Sequence, residues 1–175
     1  MGTAVNIMNI QRAAGPMYSV PLTTTALTTA NGWDVLQITA NSSARFEIVA
    51  IDLSLASTQF ASGSAIALQL LRGSTAASTG AALTAPNVKP WVGAPSANFT
   101  AAGPSSGLTS TASATLIWSG AFDSMGRLTY RPADRDERIA VTLAQRLNFR
   151  VGTPQIPVTI TGSVLLSETG KGLPS

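Results

Sequence analysis

Six segments of this chain alternate apolar and polar residues with period two, and no long stretch repeats with period 3.6. That contrast constrains the fold more than any other feature, because period two marks strands half buried in a sheet and period 3.6 marks helices. Trp33–Ala40 (WDVLQITA) puts Trp33, Val35 and Gln37 on one face and Leu36 and Ile38 on the other. Arg45–Ala56 (RFEIVAIDLSLA) sets Val49, Ile51, Leu53 and Leu55 against Ala50, Asp52 and Ser54. Ala65–Arg72, Ala114–Phe122, Arg138–Ala144 and Pro157–Glu168 complete the set, with Gly162 placed for a bulge or kink. Ala is frequent but scattered among Ser, Thr, Gly and Pro, so it supports no helix.

Between the strands lie two irregular stretches. Residues 1–29 carry Gly15-Pro16, Pro21 and a run of Thr, and read as an extended arm with one edge strand near Tyr18–Leu22. Asn31-Gly32 then gives a tight-turn signal. Residues 73–113 are rich in Ala, Ser, Thr and Gly and are interrupted by Pro86, Pro90, Pro95 and Pro104. A loop of that length is usually functional or disordered. Trp91 and Phe99 within it point to docking, either on the domain itself or on a neighbour. Pro132–Glu137 (PADRDE) resembles a helical turn opened by proline. The expectation is an all-β chain: an arm over 1–29, then one jelly-roll-like β-sandwich domain over 30–175 with a long loop at 73–113. Strands of this length and spacing favour that form over an up-and-down barrel.

The chemistry available to such a fold is narrow. The chain has no His, no Cys and only eight Asp and Glu among 175 residues. Imidazole bases, thiolate nucleophiles and thiolate metal sites are therefore excluded. Serine is abundant, but no His activates it. Neither a GxxxxGK[ST] loop nor a GxGxxG after a strand occurs. The one dense acidic cluster, Asp134, Asp136 and Glu137, sits among Arg131, Arg135 and Arg138, where the charges offset one another. The expectation is no catalytic residue, no metal site and no cofactor.

Charged residues make up 11% of the chain, against roughly 25% in typical soluble domains. So little charge protects poorly against association, and the chain is expected to be covered by neighbours, as in a homo-oligomer. Nine of the eleven basic residues are Arg, which suits interfacial ion pairs. The net charge of +3 is too small to favour direct nucleic-acid binding. Six Arg fall between positions 127 and 150, beside Tyr130 and Phe149. They suit either an acidic partner surface or strand-edge charge that discourages pairing. Arg127, Tyr130, Arg131, Arg135, Arg138, Trp91 and Phe99 form the candidate interface set. Met1–Arg12 has neither a basic start nor a sustained apolar run, so synthesis in the cytoplasm without membrane insertion is expected. On the same ground Asn41-Ser42-Ser43 and Asn98-Phe99-Thr100 read as chance matches to the glycosylation pattern.

From Phe46 onward the chain resembles small bacteriophage virion structural proteins. The carriers are FEIVAIDLSLAS, LLRGSTAASTGAALT, TLIWSGAFDSMGRLTYRPADRDERIAV and VTITGSVLLSETG. The resemblance is to a strand leading through an R-G-S-T turn into a polar loop. A Trp-bearing strand, a charged turn and closing strands follow. It covers about two-thirds of the chain and leaves out residues 1–29. It implies a β-sandwich located in the virion, as a capsid decoration (cement) protein on the major capsid protein or other virion subunits. Two alternatives remain open: a neck or tail component, and a carbohydrate- or receptor-binding module using Trp33, Trp91 or Trp118.

Overall fold

A computed structural model describes residues 16–27, 32–41, 45–56, 66–73, 77–88, 96–106, 114–141, 145–154 and 157–169. The described chain is all-β. Its strands are β1 (Met17–Thr23), β2 (Trp33–Ala40), β3 (Phe46–Leu55), β4 (Ala67–Arg72), β5 (Ala82–Leu83) and β6 (Phe99–Ala102). The series continues with β7 (Ser105–Ser106), β8 (Thr115–Ala121), β9 (Arg127–Tyr130), β10 (Ala140–Val141), β11 (Arg146–Val151) and β12 (Ile160–Glu168). A single 3-10 turn, Arg135–Glu137, is the helical element among the described residues.

The strands form two antiparallel sheets. The first runs β1-β12-β3-β10, with β9 also paired to β3. The second runs β5-β6-β2-β11-β4-β8, with β7 also on β2. One continuous apolar core lies between them. Tyr18, Val20, Leu22, Phe46, Ile48, Ile51, Leu53, Val164 and Leu166 face it from the first sheet. Leu36, Ile38, Leu68, Leu70, Leu147, Phe149 and Val151 face it from the second.

Three bulges explain where strict alternation fails. On β3, Leu166 pairs with Ile48 and Leu165 with Ala50, so Val49 is the extra residue. The face therefore switches at Val49. Phe46 and Ile48 enter the core before it and Ile51 and Leu53 after it, while Glu47 and Asp52 both point outward. On β2, Phe149 pairs with Leu36 and Arg150 with Asp34, making Val35 the extra residue. Val35 is thereby buried in the core, not on the Gln37 face, and Asp34 swings to the Gln37 side. On β8, Trp118 pairs with Leu70 and Leu116 with Leu71, leaving Ile117 unpaired.

Gly162, expected at a bulge, sits in regular register opposite Leu53. Its φ of 146° lies where side chains are rarely tolerated, and a Cβ there would come within 2.1 Å of the Asp52 carbonyl oxygen. It is a point of close backbone approach.

Both irregular stretches contribute strands to the sheets, and the edge strand expected near Tyr18–Leu22 is present as β1. Residues 16–27 do not stand apart as an arm: β1 pairs with β12 over its whole length, and Tyr18, Val20, Leu22 and Leu27 are at most 1% exposed. Residues 1–15 lie outside the described residues. The 73–113 loop supplies β5, β6 and β7, and its described parts fold back on their own domain. Ser19 and Val88 exchange backbone bonds with Pro86 and Met17, lacing that segment along the free side of β1. The Ser78 amide donates to the Gln37 side chain on the outer face of the second sheet.

Candidate functional site

The charged turn owes its position to β3. Both β9 and β10 pair with that strand, β9 at Ile51–Ser54 and β10 at Phe46–Glu47. Residues 131–139 must therefore loop over the outer face between those pairings. The bulge at Val49 has turned Glu47 and Asp52 toward this same face. The three arginines meet these carboxylates within the chain. Arg131 Nη2 is 3.0 Å from Asp52 Oδ2, Arg135 Nε is 3.1 Å from Glu47 Oε2, and Arg138 Nη1 is 3.7 Å from the same oxygen. Glu137 stays exposed and closes the turn on itself, accepting from the Ala133 amide at 3.0 Å, and the Tyr130 hydroxyl donates to the Glu137 carbonyl at 2.9 Å. Burial raises the Tyr130 phenol pKa, the neighbouring Glu137 adds to the rise, and the Ile139 backbone and Arg138 oppose it.

A shallow cleft of about 350 Å³ opens beside this turn, lined by Arg45, Glu47, Arg135, Asp136 and Thr169. Its one buried carboxylate, Glu47, is already held by two guanidinium groups. Such a pairing occupies the carboxylate with two donors, which suits holding a turn.

The expected interface residues thus divide. Arg131 and Arg135 are exposed and Arg138 half-buried, and each is paired inside its own chain. Arg127 is exposed, and its amide donates to Asp123 Oδ1 at 2.8 Å, closing the turn before β9. Tyr130 is half-buried, with its ring 5.3 Å from Trp118 in an edge contact. Phe99 is no surface residue: it is 6% exposed and packs 5.5 Å from Tyr18 and 5.1 Å from Phe46, inside the core. Trp91 lies outside the described residues.

Two buried polar clusters have no counterpart in the sequence reading. On the outer face of the second sheet, Asp34 is fully buried and accepts from Arg150 Nε at 3.1 Å and Asn148 Nδ2 at 2.9 Å. Gln37 donates to Asn148 at 3.2 Å and accepts from the Ser78 amide at 2.7 Å. Arg150, grouped with the surface arginines in the sequence, is 7% exposed. At one end of the core, Glu168 accepts from Asn98 Nδ2 at 2.6 Å and lies within 3.4 Å of the Tyr18 hydroxyl. The Tyr18 phenol pKa is pushed up to about 12, first by burial and then by the Glu168 carboxylate.

Among the described residues, no group of three or more His, Cys, Asp or Glu side chains is placed to hold a metal ion. No described helix is long and apolar enough to cross a membrane. No known family, curated protein or solved structure matches the chain.

Proposed function

We propose that the chain is a non-enzymatic structural subunit of a bacteriophage virion, a capsid decoration protein that binds the major capsid protein at subunit junctions. One observation carries the structural part of this reading. Six of the eight carboxylates are engaged in holding the fold: Asp34, Glu47, Asp52, Asp123, Glu137 and Glu168. A chain with no His and no Cys has few other groups for acid–base or nucleophilic work. The strand orders support a jelly roll: β1-β12-β3-β9 faces β2-β11-β4-β8, as two Greek keys wound together would leave them. The virion assignment rests on the resemblance from Phe46 onward.

Purified phage particles test the proposal. Quantitative mass spectrometry should find the chain at a copy number matching the capsid lattice. Purified protein should rebind, saturably, to particles assembled without it. A copy number of a few per particle would replace decoration with a neck or tail role. Absence from particles, together with binding on a glycan array lost in Trp118→Ala, would replace it with a carbohydrate-binding module.

A further inference from the structure

A sheet edge exposes a row of unpaired N–H and C=O groups, and soluble proteins guard it with Pro, charge, brevity or cover. Four of the outer strands here carry such guards. β1 contains Pro21 and is laced by Pro86–Val88. β5 and β10 are two residues long. β9 is four residues long, opens with Arg127 and is followed by Arg131. β8 lacks Pro, charge, brevity and, among the described residues, cover; its one guard is a bulge at Ile117, near its start. It runs for seven residues, Thr-Leu-Ile-Trp-Ser-Gly-Ala, at the end of the larger sheet, with no Pro and no charge. Its bulge at Ile117 leaves a regular run from Trp118 to Ala121.

Beyond the bulge the strand is uncharged and presents apolar side chains. A Cβ on Gly120 would come within 2.3 Å of the Trp118 ring, so glycine lets the indole lie along the strand and reach Tyr130. Three large hydrophobic residues are exposed in the described chain: Val88 at 46%, Leu116 at 51% and Met125 at 71%. Leu116 lies at the start of β8 and Met125 in the turn that follows its end.

We propose that β8 is a dimerisation edge, pairing antiparallel with the β8 of a second copy about a two-fold axis. The occupant follows from the chemistry of the edge. Antiparallel self-pairing sets no like charges opposite one another, because the strand has none. It also carries the exposed Leu116 of each copy toward the end of the other's β8 that leads to Met125. Closed two-fold symmetry is the commonest arrangement for such a self-complementary patch. The pairing would join the two larger sheets edge to edge.

The test uses free protein, so its outcome is separate from that of the virion reading. Sedimentation equilibrium should show a concentration-dependent dimer. Hydrogen exchange should show Thr115–Ala121 gaining protection as the dimer forms. Leu116→Lys and Ser119→Lys replace exposed side chains and should leave the monomer melt unchanged. Each occurs twice across the axis, and together they should weaken dimerisation at least about tenfold, the change that 1.4 kcal/mol produces. Arg131→Ala, which removes only a side chain paired with Asp52 on the smaller sheet, should leave it intact. The proposal is overturned by a monomer at every concentration, by a dimer indifferent to both lysines, or by protection confined to another strand. Protection of β8 only when capsid is added would likewise overturn it, by assigning the edge to a different protein.

Discussion

Breaking the Asp34–Arg150 pair one partner at a time should be far more damaging than replacing both partners. Asp34 is fully buried, and Arg150 is its direct cross-strand partner, with Nε 3.1 Å from Oδ1. In Arg150→Met the carboxylate keeps the Asn148 amide but loses its counter-ion. In Asp34→Leu the guanidinium is left buried with no carboxylate. Removing one partner of a buried ion pair costs about 3–5 kcal/mol. For a chain of this length that corresponds to a fall in melting temperature of about 6–20 °C, at about 2–4 °C per kcal/mol. The double variant buries no charge, and its main loss is the acceptor of Asn148, about 1–3 kcal/mol. The coupling in a double-mutant cycle should therefore exceed about 2 kcal/mol. Urea unfolding followed by tryptophan fluorescence measures it, provided the slopes stay constant across the four proteins. Single variants that each lose less than about 1 kcal/mol, or strictly additive losses, would refute the claim that this pair is desolvated and coupled.

Three further outcomes are expected. Truncation through Leu27 should abolish folding, because it removes β1 and four side chains at most 1% exposed, each contributing about 1.5–3 kcal/mol; a cooperative melt of the truncated protein would contradict this. Gly162→Ala should lower the unfolding midpoint sharply, since the new methyl would meet the Asp52 carbonyl at 2.1 Å in a backbone at φ 146°; an unchanged midpoint would count against the close approach. The Tyr18 pKa in the folded state, about 12, lies above its ordinary value of 10.0, so the stability tied to the neutral phenol is complete below pH 10 and lost as pH rises through about 12. The loss across that window should be smaller in Tyr18→Phe, and an identical alkaline profile in the two proteins would place Tyr18 outside the buried end of the core.

The strands with one buried face and one polar face were legible in the sequence. Trp33–Ala40 was bounded to the residue, and Arg45–Ala56 and Pro157–Glu168 within a few residues. The bulges were not legible, because an extra residue leaves no mark on the pattern other than a change of phase. That change made the Val49 face look continuous and hid the outward turn of Glu47. Arg146–Val151 alternates as regularly as any strand, and it is central in the larger sheet. Its polar positions are Arg146, Asn148 and Arg150, which argue for surface until Asp34 is seen beneath them. The partners of the charged turn were out of reach for a related reason. Glu47 precedes Arg135 by 88 residues, and only the pairing of both β9 and β10 with β3 brings them together.

These placements change what the scarcity of charge implies. The sequence left the arginines of the 127–150 stretch open to either an acidic partner surface or strand-edge charge. In the fold, Arg131, Arg135, Arg138 and Arg150 each meet a carboxylate of their own chain. The contact of Arg131 with Asp52 is exposed at both ends, so it contributes about 0–1 kcal/mol and leaves the turn adjustable. Glu47 is buried at 8% exposure, so its two arginines fix the turn where it crosses β3. With those charges engaged at one face, the edge of the larger sheet at β8 is left without any. Association through β8, as proposed, would draw on backbone pairing and apolar contact along that edge, which depend little on salt, whereas contacts of the charged turn would be screened by it. Raising the ionic strength should leave self-association through β8 in place. If salt dissolved it, the charged turn and not the edge would be the adhesive surface.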